Sequence, residues 1–137
     1  MAMTTTAESV TLDRLTALLS DESIDIAHRA LWQLLWESEV RVMDLLSLEV
    51  PDIDLGSRRI RPEAASRAAA LPDGGDIPIS ERAATLLTAV IGDRTSGPLF
   101  AAGPRALTWE EATRAAVEHG CAIHAFRIGG KRHRATV

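Results

Sequence analysis

The chain of 137 residues is long enough for one domain with a sizeable core and too short for two. An apolar share of 46%, no apolar run of membrane length and a Met-Ala-Met-Thr start without a basic flank exclude disordered, membrane-spanning and signal-bearing classes, while the one cysteine, Cys121, excludes a disulfide scaffold and fits a cytoplasmic protein. A net charge of −4 argues against a domain that coats nucleic acid indiscriminately, yet residues 1–60 hold eleven Asp and Glu against five Lys and Arg, and residues 121–137 hold Arg127, Lys131, Arg132 and Arg134 with no acid.

Residues 1–8 are polar and read as a flexible N-terminus ahead of a single domain over 9–137. Leu12, Leu15, Leu18 and Leu19 recur at helical spacing and predict a short helix over 10–20. Asp21, Glu22 and Ser23 offer turn and cap residues before a second helix through Ile26, Ala30, Leu31, Leu34 and Leu35. Trp32 and Trp36, four apart, form an aromatic stripe on that helix and are expected in the core. A third helix is predicted from Glu39 to Leu48. It stops before Pro51, because the residue preceding a proline is pushed out of the helical region.

The segments "RRIRPE" (58–63) and "GDIPIS" (75–80) read as short strands separated by an alanine-rich loop that ends in "PDGG" turn chemistry. A proline in each places both at sheet edges, so one small β-hairpin is expected. Ser80 then caps a helix through Leu86, Leu87 and Val90 that ends at Gly92. After the loop "DRTSGPLFAAGPRAL", Thr108-Trp-Glu-Glu111 has capping-box form, with Gly120 closing its helix. The last segment, from His124, reads as a helix broken at Gly129-Gly130. The fold class expected is mainly α (α+β), a helical domain with one small β-hairpin.

Arg41 stands in "SEVRVMDLLSLEVPDIDL" (38–55), a turn ahead of a leucine-rich helix end. Two roles suit it: an ion pair with Asp44, three residues on, or a phosphate contact through the planar fork of its guanidinium. His124 and Arg127 lie one turn apart on a helix face. His119, Cys121, His124 and His133 are zinc-ligand types, but their spacing matches no zinc signature, and neither metal nor cofactor is expected. No acidic and basic partners are fixed around Cys121 to make it a catalytic thiol.

The Arg41 stretch resembles the signature around the first catalytic arginine of the tyrosine recombinases (phage integrases). There a threonine-glycine pair, an apolar residue, the arginine and a Glu-Leu-Leu run lead into Asp-Ile-Asp. Ser38, Glu39, Val40, Arg41, Val42, Met43, Asp44, Leu45 and Leu46 fill those places, followed by Leu48 and Asp52-Ile53-Asp54-Leu55. "IPIS", "GPLF" (97–100) and "EHGCAIHAFR" (118–127) then fall in the family's order, so the resemblance spans roughly residues 11–137.

The resemblance implies a recombinase catalytic core in which two arginines and a histidine hold a DNA phosphate and stabilise charge during phosphoryl transfer, here Arg41, His124 and Arg127. A competing alignment takes Arg132-His133, with Ala135-Thr136 behind, but puts Gly129 in the histidine's place. The short distance from Gly120 to His124 favours Arg127. The departures are equally specific. The sequence has no tyrosine to serve as nucleophile, and Lys131 is its one lysine, so the hairpin lysine that acts as general acid is missing. Arg67 in the hairpin loop is a poor proton donor. Glu39 replaces the glycine beside Arg41, and the family's later histidine or tryptophan has no counterpart.

The expectation is thus a catalytically inactive core, truncated before the family's C-terminal helices and linked to DNA recombination or integration. It would bind duplex DNA weakly and salt-sensitively through Arg41, Arg127, Lys131, Arg132 and Arg134. The alternative is a protein-interaction module of the same fold, docking a recombinase or a second copy of itself in the groove that the family's C-terminal helix would fill. A remnant reading frame with no selected function is the third possibility.

Overall fold

The structure, a computed structural model, describes residues 7–38, 40–61 and 77–136. The first six residues, Glu39, and the alanine-rich loop with Arg67 and "PDGG" lie outside the described residues.

The first helix, α1 (Leu12–Leu19), forms where the leucine spacing predicts it. Thr11 accepts a hydrogen bond from the Arg14 amide at 3.1 Å, and Leu15, Leu18 and Leu19 face inward. Next, α2 (Ile26–Ser38) starts at Asp25, whose carboxylate accepts from the Ala27 amide at 3.0 Å, while Asp21 closes the preceding turn on Ser23. Ala27, Ala30, Leu31, Trp32, Leu34, Leu35 and Trp36 are all buried, the pattern of a helix enclosed by others. The Trp32 and Trp36 stripe is core, as expected.

The third helix is shorter than the sequence suggests. Ser38 Oγ donates to the Leu34 carbonyl at 2.6 Å and accepts from the Val40 amide at 3.2 Å, which terminates α2 and turns the chain. As a result α3 runs only over Val42–Leu46, and Arg41 is its extended N-cap residue rather than a residue inside it. A single 3₁₀ turn, Val50–Asp52, follows.

Among the described residues the sheet has three strands, not two. The expected pairing exists: β2 (Arg59–Ile60) runs antiparallel to β3 (Ile77–Pro78), with Ile60 opposite Ile77. A further strand, β1 (Ile53–Asp54), pairs on the other side with Ile53 opposite Ile60, so β2 is central rather than an edge. Pro78 does sit on an edge strand, where its missing amide costs no ladder bond. The two paired residues of β2 precede Pro62, so that proline does not interrupt them.

Ser80 caps α4 (Glu81–Ile91), accepting from the Ala83 amide at 3.0 Å. It is itself held by Glu37 near the end of α2, whose carboxylate accepts from the Ser80 amide at 2.8 Å and from Ser80 Oγ at 2.6 Å. Within the stretch expected to be a loop, β4 (Ala101–Ala102) and β5 (Arg105–Ala106) form a second small hairpin around Gly103, whose φ of 67° suits glycine. The capping box at Thr108 and Glu111 opens α5 (Trp109–Glu118) as predicted.

The last helix, α6 (Ala125–Thr136), runs unbroken through Gly129-Gly130, contrary to the expected break. A side chain at Gly129 would collide with the Val10 carbonyl oxygen, and one at Gly130 with the Trp36 carbonyl oxygen. The two glycines therefore serve close packing, Gly130 against α2 and Gly129 against the segment before α1, and the packing outweighs their poor helix propensity of about 1 kcal/mol each. The close approach lets Phe126 stack on the fully buried Trp32, with centroids 4.9 Å apart and planes 8° apart. Such a pair contributes roughly 0.5–1.5 kcal/mol beyond its burial.

The chain start joins this face too. Ala7 bridges Cys121 in parallel, its amide donating to the Gly120 carbonyl at 2.9 Å, so residues 7 and 8 are held where the sequence suggests a flexible end. Among the described residues no helix is long and apolar enough to cross a membrane.

Candidate anion-binding cleft

Arg41, at the turn between α2 and α3, and His124 and Arg127, at the start of α6, line one open cleft of about 560 Å³. Three elements bring them there. The Ser38 turn lifts Arg41 off the helix, the Gly120 turn (φ 80°) reverses the chain after α5, and the glycine contact seats α6 on α2. His124 lies just before α6, and its carbonyl accepts the helix's first bond, from the Ile128 amide at 3.1 Å. The cleft thus opens at the positive end of a 12-residue helix, which favours an anion.

Arg41 is exposed, and among the described residues no carboxylate lies within ion-pair distance of it. The Asp44 pairing considered from the sequence is absent because Arg41 stands outside α3. Asp44 nonetheless borders the cleft. Arg127 is half-buried. His124 Nε2 lies 2.6 Å from the Glu8 carboxylate, so an acid from the chain start already occupies the site's imidazole.

The remaining cations separate. Lys131, four residues beyond Arg127, follows it along the same helix stripe and is exposed. Arg134 donates to the Trp36 carbonyl at 2.6 Å and anchors the end of α6 to α2. Arg132 lies about 140° round the helix from Arg127. It donates to Ser9 Oγ at 3.2 Å and lines a second groove of about 250 Å³ with Leu12, Trp36 and His133. The structure therefore brings Arg41, His124 and Arg127 together and sends Arg132 and Arg134 elsewhere.

The His and Cys residues weighed as metal ligands are dispersed. His119 meets the edge of Trp32 at 5.9 Å, His133 lies 5.6 Å from Trp36, and Cys121 is buried. Among the described residues no three His, Cys, Asp or Glu side chains converge on a metal position. Burial pushes the Cys121 thiol up, away from thiolate.

Two cleft residues escaped the sequence reading. Trp109 and Met43 are 47% and 61% exposed, large apolar side chains standing at the charged site. Trp109 lies on the helical stripe of the buried Ala112 and Ala116, so its periodicity points to core, but that stripe runs past the core at the first turn of α5.

No protein-family model, curated protein or solved structure matches the chain.

Proposed function

We propose that this chain is a non-cleaving, tyrosine-recombinase-like domain that binds the DNA backbone through Arg41, His124 and Arg127, in support of recombination or integration. One observation carries the reading. Three side chains able to bind phosphate, Arg41 and, more than eighty positions later in sequence, His124 and Arg127, line a single cleft at the positive end of α6. The absence of tyrosine from the 137 residues, and of any lysine besides Lys131, supports binding without strand cleavage.

A cleft with two or three phosphate contacts on an acidic body binds weakly, with Kd of about 10⁻⁴–10⁻⁶ M. Each contact contributes a slope of about −0.9 in log K against log salt, so affinity falls about ten- to forty-fold between roughly 50 and 200 mM salt. Fluorescence anisotropy with a labelled duplex tests this. Arg41→Ala and Lys131→Glu should each weaken binding and flatten the salt dependence. Absence of binding at low salt would overturn the reading. It would favour the alternative docking module, for which the second groove, lined by Leu12, Trp36 and His133, offers a partly apolar seat. That alternative expects self-association or capture of a recombinase segment with no DNA affinity.

A further inference from the structure

The apolar side of the cleft has no use in a pure phosphate contact. Trp109 begins α5, and the Thr108 cap fixes the backbone that carries its exposed ring. Met43, at the start of α3, lines the same cleft. Both residues also line an adjoining hollow of about 390 Å³ floored by Leu46 and Leu107. A charged basin with Arg41 and Arg127 thus passes directly into an apolar shelf across one exposed indole. Asp44 and Glu110 edge the two hollows and disfavour an anion at those points, leaving the phosphate position to the arginines.

We propose that the cleft takes an unpaired nucleotide of single-stranded DNA, with its phosphate on Arg41 and Arg127 and its base stacked on Trp109 against Met43. The inference rests on the phosphate-binding reading above and adds the strand state of the ligand. A duplex keeps its base faces inside the stack, out of reach of an indole beside the backbone, whereas an unpaired base presents a π-face to it. Methionine, flexible and polarizable, suits the opposite wall because it conforms to any base. The charged basin alone, about 560 Å³, has room for a nucleotide and falls within the range of roughly 300–1,000 Å³ common for small-molecule sites.

The test compares three ligands at low salt: a short single strand, its duplex, and the same strand made abasic throughout. The full chain and its Trp109→Ala, Trp109→Phe and Arg41→Ala variants are each titrated, with circular dichroism to verify folding. The single strand should bind about five- to a hundred-fold more tightly than the abasic strand. Trp109→Ala should abolish that margin while leaving abasic binding unchanged, Trp109→Phe should restore most of it, and Arg41→Ala should weaken all three ligands. If the single strand and the abasic strand bind alike and Trp109→Ala changes neither, stacking is overturned while phosphate binding stands. If none of the three ligands binds, the phosphate reading fails, and this inference with it.

Discussion

Replacing Gly130 by alanine is the sharpest test of how α6 is placed. In an unconstrained helix the change stabilises by about 1 kcal/mol. Here the new methyl would collide with the Trp36 carbonyl oxygen, and its nearest neighbours are backbone atoms of α2, which cannot rotate away like a side chain. Relieving the clash by overpacking costs about 1–3 kcal/mol. Moving α6 outward also loosens the Trp32–Phe126 stack, a further loss of roughly 0.5–1.5 kcal/mol. Set against the propensity gain, the net is a destabilisation of about 2 kcal/mol, near the middle of what single substitutions do. Urea unfolding followed by circular dichroism reads it directly. Gly129→Ala presses on Val10, in the segment before α1 rather than in a helix, and should cost less. Stability unchanged or raised in Gly130→Ala would mean that α6 does not approach α2 this closely, and the cleft built on that approach would lose its basis.

Three other outcomes follow from named contacts. On the proposed reading, Glu8→Gln removes a carboxylate that would compete with phosphate for His124. An exposed pair of this kind is worth about 0–1 kcal/mol, so DNA affinity should rise by up to about five-fold in the same anisotropy titration. Glu37→Ala leaves the Ser80 amide and hydroxyl and the buried Gln33 amide without the acceptor they share, and should lower the urea midpoint by the equivalent of about 1–3 kcal/mol. The Arg105 guanidinium, with help from Thr108, holds the Glu111 carboxyl at about 2, below its ordinary value of 4.5. Because the folded state binds this proton less readily than the unfolded state, the contribution is present above pH 4.5 and is lost as pH falls towards 2, so Glu111→Gln should flatten the acid limb of stability in that window.

What the sequence made legible is what local chemistry decides. Ser80 and Thr108 cap helices because their hydroxyls satisfy amides three residues on, whatever the rest of the chain does. The Trp32 and Trp36 stripe is similarly local. The errors fall where distant segments intervene. Gly129-Gly130 reads as a helix break until Val10 and Trp36 are seen beside it, after which glycine is the residue that fits. The β4–β5 hairpin carries alanines rather than β-branched residues, so only the Gly-Pro turn hints at it. The third strand was hidden because two paired residues, Ile53 and Asp54, give no alternation to read.

The same division runs through the cleft. Arg41, His124 and Arg127 were legible because a short motif carries each of them, but what surrounds them was not. Glu8 reaches His124 only because Ala7 pairs with Cys121, and Trp109 overhangs the site only because its stripe outruns the core. The basic tail is the clearest case. Four cations within eight residues look like one patch as a string, yet a helix distributes them around its axis. Packing by Gly130 on α2 and by Gly129 on the segment before α1 fixes how α6 is turned, and that choice leaves Arg127 in the cleft, sends Arg132 to Ser9 and commits Arg134 to the Trp36 carbonyl. Which tail cations line the cleft is therefore set by two residues that carry no side chain, and the local density of charge in the tail overstates their number.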